Sequence, residues 1–395
     1  MNRQLAYLGG ERLFDPPIPF VKPFFPSCEK YRGAIQDVFN TGMLTKGKYL
    51  KTFERRVSCF QGGMESVAVS SGTQGLVLTL EALGIGVGDE ILVPSFTFCA
   101  TVHAITRVGA KPVFTDCDPE TLCIDPVAAA HACTERTKAI LAVHVFGVPA
   151  DVDALAKVAR DRRLALVFDA AHAFGTTVDG KPIGVFGDAS VFSTSPTKTL
   201  VTGEGGLVVT PHKNLADRIR LLRECGNPGD YNCIERGTNS RLSELASITG
   251  LMSLDVLDEQ IEKRVSLGER YRRRLGGIEG ISLQKIPNNA ISTFKDMPII
   301  LHESLFPFER DLLAEVLNAE GIPTKNYFDP PVHLMSCYQE YRNLRLPETE
   351  RVSRSILCLP MNAYLTYDDV DFICSVIEEA FFSGDEILRK SIESV

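Results

Sequence analysis

The sequence has no excess of basic residues: 42 lysines and arginines stand against 50 aspartates and glutamates, a formal net charge of −8 over 395 residues. A protein whose main ligand is nucleic acid needs a basic footprint, so that class is excluded. The cluster Arg270, Arg272, Arg273 and Arg274 shares a charge run with Glu262 and Glu269, and a solvated helix face is expected there. Long hydrophobic runs are missing too. The longest apolar segment, from Ala139 to Ala150, contains His144 and is too short to cross a bilayer, so no membrane role is expected. The opening MNRQLAYLGGERLF lacks the basic start and apolar stretch of a secretory signal. Eleven cysteines are present, an odd number, with no C-x-x-C pair among them. That excludes a disulfide framework or a zinc ribbon, and points to reduced thiols in a cytoplasmic enzyme without a metal site.

What is present alternates strand and helix. SVAVSS (66–71) is short and rich in β-branched residues. Leu76, Leu80 and Leu83 then recur at helical spacing until Gly84 ends the run. GDEILVPS, KPVFTD, AILAVHVF, ALVFDAA and ASVFST continue the strand theme, with a helix predicted near 99–108. Near-continuous apolar strands separated by helices describe a parallel sheet covered on both faces, whose ligand sites gather at the strands' carboxyl ends. A long helical stretch (243–275) leads into a smaller α/β unit, with a strand near 296–301, a Pro-rich crossing YFDPPVH and a last helix near 367–382.

Three of these strand ends carry chemistry. In VSSGTQG a strand runs into Ser71, Gly72 and Thr73 where a helix starts, so free N–H groups and hydroxyls face one point. This describes a phosphate cradle or simple N-capping. In LALVFDAAHAFGT, Asp169 ends a buried run and needs a cation or donors; a metal, a cap or a protonated ring nitrogen would each serve. His172, three residues on, is a second polar group for the same cavity or a structural histidine. In VFSTSPTKTLVTGEGGLVVT (191–210), Lys198 is surrounded by Ser193, Ser195, Thr197 and Thr199. A lysine there is a counter-charge or a Schiff-base former. Pyridoxal phosphate complements all three sites at once, with an aldehyde for Lys198, a ring nitrogen for Asp169, and a phosphate for Thr73 and Ser193.

On these stretches, together with GMLTKGKYLKTFE, GDEILVPSFTFCAT, VFTDCDPETLCIDP, PTKTLVTGEGG, GTNSRLSEL and LPMNAYLTYDDVD, the chain resembles the DegT/DnrJ/StrS family of pyridoxal-phosphate-dependent sugar aminotransferases. The resemblance runs from residue 42 to residue 371 in unbroken order. It implies a fold-type I architecture: a large cofactor-binding domain (1–255), with a mixed, mostly parallel sheet sandwiched by helices, and a smaller C-terminal α/β domain (256–395). It implies Lys198 as the Schiff-base lysine and acid/base, Asp169 as partner of the pyridine nitrogen, and His172 near the ring hydroxyl. Gly72, Thr73, Gln74 and Ser193 match phosphate-binding positions, and Phe98 matches an aromatic that stacks on the ring or packs in the core. Asn239 matches a residue that reaches the phosphate of the neighbouring subunit, which implies a homodimer with shared sites. In that segment, Leu245, Ile248, Leu251 and Leu254 face either a partner or their own chain.

The implied reaction moves an amino group from an amino acid, L-glutamate, to a nucleotide-linked keto-sugar. A keto-cyclitol acceptor and a cofactor-dependent sugar dehydratase are the alternatives, although dehydratases carry His where Lys198 stands. A non-catalytic regulator that binds the cofactor or a sugar is the reading from a different class. Two departures from the family pattern bear on the substrate. CGNPGDYN (225–232) is short, and Lys325 is the only cation in GIPTKNYFDPPVH.

Overall fold

The computed structural model describes residues 4–302 and 304–393. Its first nine strands are β1 (Glu65–Val69), β2 (Glu90–Pro94), β3 (Lys111–Thr115), β4 (Thr137–Val143), β5 (Ala165–Asp169), β6 (Thr177–Val178), β7 (Lys181–Pro182), β8 (Ala189–Ser193) and β9 (Gly206–Thr210). Seven of them form one sheet in the order β1-β9-β8-β5-β4-β2-β3. All run parallel except β9, which is antiparallel to both its neighbours. Consecutive residues of a strand point to opposite faces. Leu92, Ile140, Phe168 and Leu207 accordingly enter one core, while Ile91, Ala139, Val167 and Val208 enter the other. Helices Gly72–Ala82, Cys99–Arg107 and Lys213–Leu222 cover one face, and helices Lys48–Phe60, Val152–Arg162 and Glu244–Asp255 the other. Burial on both faces is why these strands read as continuous apolar runs rather than as alternating ones.

A second sheet, in the order β10-β12-β13, is antiparallel and has a core of its own with helices Arg310–Ala319 and Tyr367–Phe382. Its strands are β10 (Ile281–Leu283), β12 (Met297–Leu301) and β13 (Ile356–Leu359). The short strand between them, β11 (Ala290–Ile291), pairs with β6 and ties the second unit to the first. The long helical stretch is broken at Val256 into Glu244–Asp255 and Leu257–Leu275. Asp255 is held there by Tyr31, Lys30 and Arg56.

Packing does not follow a single cut near 255. Leu5, Tyr7, Leu13 and Ile18 belong to the second core, and Glu320 accepts hydrogen bonds from the N–H groups of Ala6, Leu13 and Phe14. The Pro-rich crossing goes the other way: Val332, Tyr338 and Leu346 pack on the large sheet. Ser95, just past the end of β2, accepts from the N–H groups of Val332 and His333 at 3.1 and 3.0 Å. The basic cluster is likewise not a plain solvated face, since Arg270 pairs with Asp371 and Arg274 with Glu378, clamping helix Tyr367–Phe382. Ile248 and Leu251 are buried in their own chain's core, and Leu245 and Leu254 pack against it. No described helix is long and apolar enough to cross a membrane.

Candidate active site

Six parallel strands bring their carboxyl ends to one edge, and β9 starts there. At this edge lies a cavity of about 340 Å³, lined by Gly72, Thr73, Phe98, Asp169, His172, Ser193 and Lys198. Residues up to 257 positions apart in sequence, Ser71 and Phe328, are thereby assembled at one place.

The turn after β1 starts helix Gly72–Ala82. Ser71 caps it by accepting from the Gln74 N–H at 3.1 Å, so the helix start leaves the N–H groups of Gly72 and Thr73 without intrahelical partners. The turn is packed tightly against its neighbours. A Cβ on Gly72 would sit 3.0 Å from Ser193 Cβ, and one on Gly206 would sit 2.5 Å from the Ser71 carbonyl carbon and 2.6 Å from the Gly72 nitrogen. Two glycines thus let three strand ends approach the same point.

Asp169 closes β5 and is 7% exposed. Thr101 Oγ1 donates to Asp169 Oδ2 at 2.7 Å, and the Ala171 N–H donates to Oδ1 at 3.1 Å. Thr97 shares a hydroxyl bond with Thr101 at 2.9 Å. Burial pushes the Asp169 carboxyl up from its ordinary range, while the Thr101 and Ala171 bonds and the Lys198 charge pull it back. A cation beside it would stabilise the ionised form.

Lys198 sits in a loop between β8 and β9 that closes on itself. The Thr194 and Thr202 hydroxyls meet at 2.7 Å, the Thr202 N–H donates to the Thr194 carbonyl, and Ser253 Oγ accepts from the Val201 N–H. Burial, and then the charge of Lys295, lowers the Lys198 amine to about 8, with Asp296 and Asp169 opposing. His172 Nδ1 accepts from the Phe146 N–H at 3.2 Å, which leaves its other ring nitrogen to carry the proton. Its ring lies parallel to Phe146 and Phe328, and burial, followed by the charges of Lys198 and Lys295, holds it well below the usual histidine range. Phe98 is 58% exposed and lines the cavity, so it is not a core residue.

Two expected residues do not line the cavity: Gln74, which follows Thr73 in the first turn of its helix, and Asn239. Asn239 is exposed, and its side-chain oxygen accepts from Arg241 Nε at 3.1 Å. Conversely, Thr97, Lys295, Tyr327 and Phe328 line the cavity, and Thr101 bonds to Asp169. Nothing in the local pattern marked Thr97 or Thr101. The charged pair Lys295-Asp296 at the start of an apolar strand was the one visible signal for that wall.

The cavity's donors fit a phosphorylated pyridine aldehyde. It offers N–H groups and hydroxyls for a phosphate, a buried carboxylate for a ring nitrogen, and an amine of lowered basicity for a carbonyl carbon. Erythromycin biosynthesis sensory transduction protein EryC1 of Saccharopolyspora erythraea is 36% identical to this chain, covering 87% of it and 93% of EryC1. Spore coat polysaccharide biosynthesis protein SpsC of Bacillus subtilis is 33% identical, covering 89% of this chain and 94% of SpsC. The crystal structure of DesI, determined in the presence of its TDP-sugar product, superposes with a TM-score of 0.91 at 35% identity, over 98% of each chain. The DegT/DnrJ/EryC1/StrS aminotransferase family model matches residues 28–378, and with the lysine, the carboxylate and the glycine-lined turn in one cavity, the chain belongs to that family.

Proposed function

We propose that the protein binds pyridoxal phosphate and transfers the amino group of an amino acid, L-glutamate, to a nucleotide-linked keto-sugar. The observation that carries this reading is the meeting of Lys198 and Asp169 in the cavity that begins at the Gly72–Thr73 turn. Asp169 would hold the protonated ring nitrogen, Gly72, Thr73 and Ser193 the phosphate, and Phe98 and His172 the ring. When bound, the cofactor supplies an aldehyde carbon and a ring that accepts electron density.

The chain's own residues then move the proton. With its amine near 8, roughly a tenth of Lys198 is neutral at pH 7, against well under a thousandth for an ordinary lysine. Its Nζ therefore has the free pair needed to take the proton from the donor's Cα, and once protonated it returns it. Phe98, Tyr327 and Phe328 line the same cavity and place apolar ring surface beside that transfer. The DesI product supports a nucleotide-linked sugar as acceptor. A homodimer with Asn239 serving the partner's site, working in the cytoplasm, completes the reading.

Adding L-glutamate to the yellow holoprotein tests it. The expected result is conversion of the cofactor to its pyridoxamine form with release of 2-oxoglutarate, followed by reoxidation with one member of a nucleotide-ketosugar panel. Lys198→Ala should slow conversion by about 10²–10⁴-fold. Retained colour without conversion by any amino acid would instead favour a non-catalytic regulator.

A further inference from the structure

The cavity is also lined by a charged side chain that does not itself carry the proton. Lys295, at the head of β12, lines the cavity and is 3% exposed. Its Nζ bonds both oxygens of Asp296 at 2.8 and 2.9 Å and lies 6.0 Å from the centre of the Tyr327 ring. Behind it, Arg264 of helix Leu257–Leu275 donates to the Lys295 carbonyl at 2.8 Å and to the Met361 carbonyl at 3.2 Å. Its Nε has no partner among the described residues. Arg264 is 4% exposed and Asp296 2%. Burial brings the Arg264 guanidinium down to about 10, with Asp296 the charge that opposes this.

Two buried cations, Lys295 and Arg264, therefore lie side by side through the Lys295 carbonyl, and among the described residues only Lys295 has a carboxylate, Asp296, paired to it. Buried charge of one sign is costly unless an opposite charge arrives. Of the other charged groups lining the cavity, Asp169 and Glu204 are acids and Lys198 is the proton carrier. A donor amino acid brings at least one more carboxylate beside these two acids and needs a cation to receive it.

We infer that Lys295, backed by Arg264 and screened by Tyr327, is the receptor for a carboxylate of the amino donor. The inference rests on the proposed transamination and adds the residue that selects a carboxylate-bearing donor. The keto-sugar, which brings no carboxylate to this point, leaves Lys295 on Asp296 alone. The same pocket can then take, in turn, a donor that bears a carboxylate and a sugar ring that does not.

The test uses holoprotein and unreactive probes. Calorimetric titration of the wild type should show glutarate binding at least tenfold more tightly than its neutral diamide, glutaramide. In Lys295→Gln/Asp296→Asn, which removes both partners of the ion pair, that preference should vanish while the cofactor absorbance stays. Lys295→Arg should keep the preference. Conversion rates with L-alanine, which has only an α-carboxylate, and with 4-aminobutyrate, which has only a distal one, then show which carboxylate is read. The substrate whose KM rises at least tenfold in the double variant carries it. Equal binding of glutarate and glutaramide by the wild type, or an undiminished preference in a folded double variant, overturns the inference. Failure of the wild type to convert its cofactor with any amino acid counts against the transamination instead.

Discussion

At the scale of single residues, burial sets the cavity's ionisable groups against their usual charge. Lys198 is an amine in a wall too dry to hold its charge comfortably, and Lys295 adds a like charge nearby. A pH dependence follows. In the cofactor-free protein, acylation of Lys198 by an amine-reactive reagent, read by mass spectrometry, should be half-maximal near pH 8. An ordinary exposed lysine would respond above pH 10. The sign of the linked stability is also set. Between about pH 8 and 10.5 the unfolded chain holds this proton and the folded chain does not, so stability rises with pH across that window and is flat below it. A labelling midpoint above 10 would remove the basis for Lys198 as a proton carrier at neutral pH.

Among the elements, the start of helix Gly72–Ala82 depends on strand β9, which pairs with both β1 and β8. Gly206 lies opposite Val69 and Ser193, under the turn that would receive the phosphate. A methyl group there has backbone, not a flexible side-chain end, within 2.6 Å. Gly206→Ala must therefore push the Ser71–Gly72 turn outward. Overpacking of this kind costs about 1–3 kcal/mol. The expected outcome is a lowered melting temperature together with weaker cofactor retention, measured by absorbance after dialysis. Unchanged retention would mean that the turn does not set the anion's position. Helix Lys48–Phe60 shows the same dependence on a distant residue. Its start is capped by Glu244, which accepts from the N–H groups of Gly47, Tyr49 and Leu50 and is 1% exposed. The negative charge opposes the helix dipole and satisfies three otherwise unpaired donors.

At the scale of the whole molecule, the cavity leaves Asn239 outside it, on an exposed segment that carries Tyr231 at 94% and Ile234 at 61% exposure. Apolar side chains this exposed suit burial against a second copy. If Asn239 serves the partner's site, mixing Lys198→Ala chains with Asn239→Ala chains should restore activity. In a crossed dimer one site carries both lesions and the other neither, so activity should rise above that of either parent after subunit exchange. Activity that never exceeds the parents' mean, in protein shown to have exchanged, would place Asn239 in a purely local role beside Arg241.

Much of this was legible in the sequence, for a physical reason. The strands ending at Val69, Asp169 and Ser193, the helix starting at Gly72 and the hydroxyl-rich loop around Lys198 all reside in short contiguous stretches, where residue type and spacing act locally. What the local pattern could not contain is which residues meet across the fold. Thr101 reaches Asp169 across 68 positions, Tyr327 and Phe328 enter the cavity because the crossing after them docks on Ser95, and residues 5–18 pack in the C-terminal core. The break at Val256 and the inward packing of Ile248 and Leu251 were hidden in the same way, since an apolar helix face fits a partner or its own core equally well. Residue chemistry was determined by the sequence alone. The charge balance around it, with Lys295 lining the cavity, paired to Asp296 and backed by Arg264, was decided only when sheet order and burial brought distant side chains into a common low-dielectric space.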